Sequence, residues 1–187
     1  MPKMLNNLIL SNNVHFSLHD SSRAASLVEI EKVASHINSL VAEYEDTQKL
    51  LELQKHIANY KTLIKPGRKL IRQGPLMRVS RRGNSSFRRH FVLLSDTLLY
   101  CKGDPESSLT VCCILPLNKC KVERVLSNGL FKVICLHETL LLYSEKSDSE
   151  AWIEDLNEAI KKVCFIFFFT IKIICHKLRT PDRKSVV

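Results

Sequence analysis

Glycine is scarce in this sequence, five residues in 187, and no glycine-rich phosphate loop can be assembled from them. The G-x-S-x-G and H-E-x-x-H patterns are also missing, which removes common signatures of serine-nucleophile and zinc-hydrolase chemistry. The seven cysteines are odd in number and contain no Cys-x-x-Cys pair, so neither a disulfide framework nor a zinc knuckle is indicated and a reducing setting fits best. Cys120 and Cys135 fall in expected strands, where a thiol behaves as a small hydrophobe. Seven histidines are scattered over unrelated segments, so no metal site is expected. The acids gather on helices, at Glu43, Glu45 and Asp46 and again at Glu150, Glu154, Asp155 and Glu158, as solvated faces rather than an acid–base pair. No catalytic residue and no cofactor are expected. Long apolar runs are lacking too. Leu8-Ile9-Leu10 is too little for a signal peptide, and Val163 to Cys175, broken by Thr170 and Lys172, is well short of the roughly 20 residues of a membrane-spanning helix.

One further absence is local. Between Lys65 and Arg89 there is no Asp or Glu, while nine cations occur: Lys65, Arg68, Lys69, Arg72, Arg78, Arg81, Arg82, Arg88 and Arg89. The formal charge of the chain is +9, so the rest nearly cancels. Ile71, Leu76 and Val79, then Ser80 to Ser86, then His90 to Leu94 read as strand, basic turn, strand. Such a hairpin gathers cations at its tip, which suits a polyanionic partner, first the phosphates of an inositol lipid or an anionic membrane leaflet. A merely solvated tip is the plainer alternative. Nucleic acid is not expected, because only Phe87 lies among the arginines and no recognition helix carries the charge.

Helical spacing covers residues 21 to 64, with apolar positions at Ile30, Val33, Ile37, Leu40, Tyr44, Leu51 and Ile57, after an irregular stretch over residues 1 to 20. Asp20, Ser21 or Ser22 can cap its start, and Pro66-Gly67 lies beyond its end. So large a stripe implies a helical partner or bundle; a homodimeric coiled coil is weakened by Thr47 and Gln48 at the next apolar heptad position. After Pro66 the period changes to near two. Leu98–Cys101, Val111–Leu115, Lys121–Val125, Leu130–Cys135 and Thr139–Tyr143 join the first two strands, giving about seven antiparallel strands. Ser147 and Glu150 have the spacing of a capping box, and Trp152, Leu156, Ile160 and Val163 stripe a helix of about fifteen residues able to plug one end of a curved sheet.

This order resembles a pleckstrin homology domain, an α+β fold in which a seven-stranded antiparallel barrel is closed by a C-terminal helix. The residues that carry the resemblance are Ile71 to Leu76, His90 to Tyr100, and Ala151 to Ile160 with Trp152. Upstream, Val33-Ala34-Ser35-His36-Ile37-Asn38 and Lys49 to Gln54 resemble the last helix of a Dbl homology domain. Together they are similar to the tandem of a Rho guanine nucleotide exchange factor over roughly residues 22 to 163. The linker Ile64 to Arg72 looks like the FERM- and FYVE-containing branches, while Ile114 to Cys120 and Glu138 to Leu142 look like Rho guanine nucleotide exchange factor 39.

The resemblance implies that residues 21–64 are the end of a truncated Dbl homology domain, 65–163 the pleckstrin homology domain, and 164–187 a hydrophobic and basic tail outside it. In such proteins a helical bundle grips the switch regions of a Rho GTPase and releases magnesium and nucleotide; most of that bundle has no counterpart here. The Asn of the His-Ile-Asn motif faces switch II in the family, a role that falls on Asn38, whose alternative is an ordinary exposed polar residue. Tight phosphoinositide binders carry a cation late in the first strand and a basic-x-Arg pair entering the second. Arg78 and Arg89 match, and Phe87 replaces the other cation, which implies weak, charge-driven contact through Arg78, Arg81, Arg82, Arg88 and Arg89. The expected partners are anionic membrane lipids and, through the parent exchange domain, a Rho-family GTPase. The expected location is cytoplasmic, at the inner face of the plasma membrane. The rival readings are a stand-alone adaptor recruiting a GTPase or helical partner, and a nucleic-acid-binding basic module. The tail reads as an alternatively spliced terminus, an interfacial anchor or a tail anchor.

Overall fold

The computed structural model describes residues 3–57, 59–83, 85–126 and 129–179, with side chains from 23 to 125 and from 129 to 174 within those ranges. Two compact units emerge, Met1–Glu45 and Asp46–Val187. Helix α1, Lys3–His56, runs through the first and ends in the second. Its start differs from expectation: residues 3 to 20 are helical rather than irregular. They contain no Pro or Gly to stop a helix, so Asp20, Ser21 and Ser22 are interior residues and not caps. In the first unit Leu27, Val28, Ile30, Val33, Ile37, Leu40, Val41 and Tyr44 are between 50% and 65% exposed.

The helix also stops earlier than Pro66 would require. At Ile57 the backbone leaves the helix to bridge Leu109, and the Asn59 carboxamide clamps Val111, donating to its carbonyl at 2.9 Å and accepting from its N–H at 2.7 Å. A side-chain amide thus stands in for a strand neighbour along the outer edge of the sheet. The buried positions near this end are Leu50, Leu53 and Ile57, at helical spacing, and not the expected Leu51, which is 39% exposed.

Seven strands follow: β1 Leu70–Val79, β2 Ser86–Leu94, β3 Thr97–Asp104, β4 Ser108–Pro116, β5 Cys120–Leu126, β6 Leu130–Cys135 and β7 Glu138–Tyr143. All pairings are antiparallel, in the order β4-β3-β2-β1-β7-β6-β5. The expected barrel is therefore not closed by hydrogen bonds. Its open edges are β4 and β5, because Pro116 ends β4 and a 3₁₀ turn, Leu117–Lys119, carries the chain onward. Helix α2, Ser149–Arg179, packs against that turn and β5.

The sheet buries both faces, and strict alternation explains how. On the inner side Phe91, Leu93, Leu98, Tyr100, Phe131, Val133 and Leu142 meet Trp152, Ile153, Leu156 and Ala159 of α2. On the outer side Val92, Leu94, Leu99, Cys101 and Leu109 meet Leu50, Leu53, Ile57 and Leu63. Successive residues of β2 and β3 are thus all apolar, although their side chains point to opposite faces. Arg68, buried beside this outer core, donates from Nε to Asp96 Oδ1 at 2.7 Å and from Nη1 to the carbonyls of Thr62 and Leu63 at 2.8 Å each. Gly103 has φ 116° and a Cβ there would lie 2.2 Å from the Ser108 carbonyl oxygen, so only glycine fits the β3–β4 hairpin.

The Ser147–Glu150 capping box does not form. Ser147 has φ 57°, in the left-handed region rather than the extended one an N-cap needs, and α2 starts at Ser149. Glu150 pairs instead with Arg124 at 2.7 Å, and the Ser149 hydroxyl accepts from the Ser144 N–H at 2.9 Å. Arg72 pairs with Asp155 and lies 5.6 Å from the Trp152 ring centroid, fastening α2 to β1. Packing on the sheet extends to Val163, but the helix does not end there: it continues to Arg179, twice the expected length, with the side chains of residues 164 to 174 exposed.

Candidate functional site

The β1–β2 hairpin closes through Ser80 to Ser85. The Ser80 N–H donates to the Ser85 carbonyl at 2.7 Å, the Gly83 N–H donates to the Ser80 carbonyl at 2.9 Å, and Gly83 takes φ 74°. Register places Arg78 opposite Phe87, Met77 opposite Arg88 and Leu76 opposite Arg89. Alternation then brings Arg78, Phe87 and Arg89 to the inner face, in line with Leu76 and Phe91, and puts Arg88 on the other.

Tyr100 of β3 organises the inner pair. Its hydroxyl accepts from Arg78 Nη1 at 3.3 Å and from Arg89 Nε at 3.2 Å. The Arg78 guanidinium also lies 5.3 Å from the Tyr100 ring centroid, and Arg89 lies 5.3 Å from that of Phe87. Beneath them Tyr100 stacks on Phe91 with centroids 5.4 Å apart, which ties the cationic rim to the core. Phe87, the residue in the place of an expected cation, is an exposed platform under Arg89.

The five candidate arginines are not equivalent. Arg81 forks onto Glu138, at 3.1 Å to each oxygen, so its charge is partly neutralised. Arg82 and Arg88 are exposed, and Arg78, Arg82, Arg88 and Arg89 have no carboxylate partner among the described residues. The other cations of the acid-free window include Arg68, Lys69 and Arg72, which are paired with Asp96, Asp46 and Asp155 and serve the fold. Asn38 lies exposed on α1 in the first unit, whereas the arginines belong to the second.

Beside the hairpin an open cleft of ≈ 410 Å³ is lined by Pro75, Arg88, Arg89, His90 and the Gly103–Glu106 turn, where Asp104 and Glu106 set acids against the arginines. His90 is buried there, burial pushes its imidazole below the ordinary value, and its Nε2 has no hydrogen-bond partner among the described residues. Cys101, buried on the outer face, is pushed up to about 12, first by burial. Cys120 is also raised, first by burial and then by its strand partner Cys135, which keeps the Cys120 thiol protonated at neutral pH. No group of three or more His, Cys, Asp or Glu suited to a metal occurs among the described residues.

The residues that sequence reasoning did not single out are Tyr100 and Glu138. Tyr100 carried a signal, being the inward-facing position of β3 level with Phe91 on the hairpin strand. Glu138 carried none, since it is 57 residues from Arg81.

An open antiparallel sheet of this order with one packed helix and a cationic first hairpin defines the pleckstrin homology domain, and residues 70–161 match the family described as PH domain. The region is that of the Dbl-family Rho guanine nucleotide exchange factors. Among its relatives, FYVE, RhoGEF and PH domain-containing protein 5 of Mus musculus is 34% identical over 106 residues, 57% of this chain and 8% of that protein. FERM, ARHGEF and pleckstrin domain-containing protein 2 of Homo sapiens is 32% identical over 150 residues, 76% of this chain and 14% of that protein. The chain therefore spans only a small part of the length of these relatives. Among solved structures, autoinhibited Vav1 aligns with TM-score 0.60 and 20% identity over 70% of this chain and 25% of that one. The DH/PH domains of PDZ-RhoGEF in complex with activated RhoA align with TM-score 0.53 and 24% identity over 71% and 44%. These structural likenesses speak for the fold.

Proposed function

We propose that this chain acts as a membrane-targeting module from a Rho-family exchange factor: its pleckstrin homology domain makes weak, charge-driven contact with anionic lipids, phosphoinositides included, and it does not itself exchange nucleotide. The observation that carries the lipid reading is the Tyr100-centred pair Arg78 and Arg89 with exposed Arg82 and Arg88, none of them in an ion pair among the described residues. Each cation near an anionic leaflet contributes on the order of 1 kcal/mol, so four give substantial attraction without any pocket selective for one headgroup. The acids of the adjoining cleft argue against selective capture of a polyphosphate there. On this reading the protein works at the cytoplasmic face of the plasma membrane. Nucleic acid is not the partner on this reading.

The exchange part of the proposal rests on the α1 stripe. Its apolar residues are at least half exposed in the first unit, as suits a helix whose partners are other helices of an exchange domain. A Rho GTPase is then a partner of that complete domain, with Asn38 as its contact in α1. The test is binding to vesicles containing phosphatidylserine or phosphoinositide, at low and at high salt. The unaltered chain is expected to show a weak fraction of binding that is lost as salt rises, and replacement of Arg78, Arg81, Arg82, Arg88 and Arg89 by Ala is expected to abolish that salt-sensitive fraction. Salt-sensitive binding unchanged in that variant, or preferential binding to RNA or DNA, contradicts the reading.

A further inference from the structure

We propose that the end of α2, from Val163 to Ile174, is a monotopic lipid-inserting helix lying within one leaflet. Phe165, Ile166, Phe167, Phe168, Phe169, Ile171, Ile173 and Ile174 are between 44% and 71% exposed, far more contiguous apolar surface than a soluble helix leaves in water. At about 100° per residue, Val163, Ile166, Phe167, Ile171, Ile173 and Ile174 share one broad face centred on Thr170. The Thr170 hydroxyl donates to the Ile166 carbonyl at 2.8 Å, so the one polar side chain on that face is satisfied inside the helix. Phe169 flanks that face, while Lys161 and Lys172 fall on the opposite side together with Phe165 and Phe168, and Phe165 stacks on Phe169 at 6.1 Å.

Two features select a lipid surface over a second copy of the helix. Pairing buries a single narrow stripe and would leave Phe169 and the far-side Phe165 and Phe168 in water, whereas a membrane interface takes the broad face and Phe169 among the acyl chains and Phe165 and Phe168 at headgroup level beside the snorkelling lysines. The charge matches as well. No acid occurs between Glu158 and Asp182, while Lys161, Lys172, Lys177 and Arg179 do, beside Lys162, which pairs with Glu158 at 2.6 Å. The apolar length is roughly 18 Å, short of the ~30 Å hydrocarbon core. No helix among the described residues is long and apolar enough to cross a membrane, and an in-plane position is consistent with that.

This inference does not use the arginine hairpin, and salt separates the two: hairpin contact is screened, apolar insertion is not. The full chain is floated with phosphatidylcholine vesicles, with and without phosphatidylserine, at low salt and in molar salt. Binding that survives molar salt is expected, reduced about tenfold or more in the variant Phe167→Glu, Ile171→Glu, Ile174→Glu, and retained when the five hairpin arginines are Ala. A second variant, Phe167→Trp, is expected to show fluorescence quenched by phosphatidylcholine with brominated acyl chains. Absence of salt-resistant binding, equal binding by the triple-Glu variant, no quenching, or self-association that the triple-Glu variant abolishes without any flotation would each overturn the proposal.

Discussion

Tyr100 governs how the hairpin presents its charge. Its hydroxyl accepts from two guanidiniums that would otherwise repel, and its ring lies beside one of them. Tyr100→Phe keeps the ring and the stack on Phe91 and removes only the shared acceptor. The expected loss is about 1 kcal/mol in membrane binding, about fivefold, measured by vesicle co-sedimentation at low salt, with the thermal midpoint nearly unchanged. His90 is the other informative residue. Burial lowers its folded pKa, so between that value and about 6.5 the unfolded chain holds more protons. Stability is therefore greatest above about pH 6.5 and is lost as pH falls through the folded pKa. Urea midpoints at about pH 7.5 and about pH 5 are expected to differ in that direction, and His90→Gln to narrow the difference. The cationic window was legible in the sequence because it needs only composition. Which of its cations are free was not, since Asp46, Asp96, Asp155 and Glu138 reach it from distant segments.

At the scale of elements, the strands were legible because each apolar run is bounded by a breaker, and Trp152 with Leu156 marked the inner face of α2. Helix ends were not. The start of α1 lacks a stop signal, and its end is set by Ile57 and Asn59 engaging β4, a contact invisible to local pattern. The outer core is the consequence. Trp152→Ala is expected to cost about 3–5 kcal/mol and Leu99→Ala about 2–5 kcal/mol in denaturant unfolding, although the two lie on opposite faces of the sheet. A solvent-facing Leu99 would cost within about 0.5 kcal/mol, so the second value tests the outer face directly.

For the whole molecule, the order of helix, seven strands and helix was legible from the switch of period at Pro66 and the turn residues between strands, and the pleckstrin homology family from the resemblance carried by Ile71 to Leu76, His90 to Tyr100 and Ala151 to Ile160. The openness of the sheet was not readable, since it depends on whether β4 and β5 pair, and no residue pattern marks that. What separates a targeting module from an exchange catalyst is whether the chain can displace nucleotide from a GTPase. The most direct measurement is release of fluorescent GDP from RhoA, Rac1 and Cdc42 with excess purified full chain, in solution and on anionic vesicles. The account predicts release at the spontaneous rate, within about twofold, in every case. Acceleration of about tenfold or more for any of the three, reduced by Asn38→Ala, would contradict it.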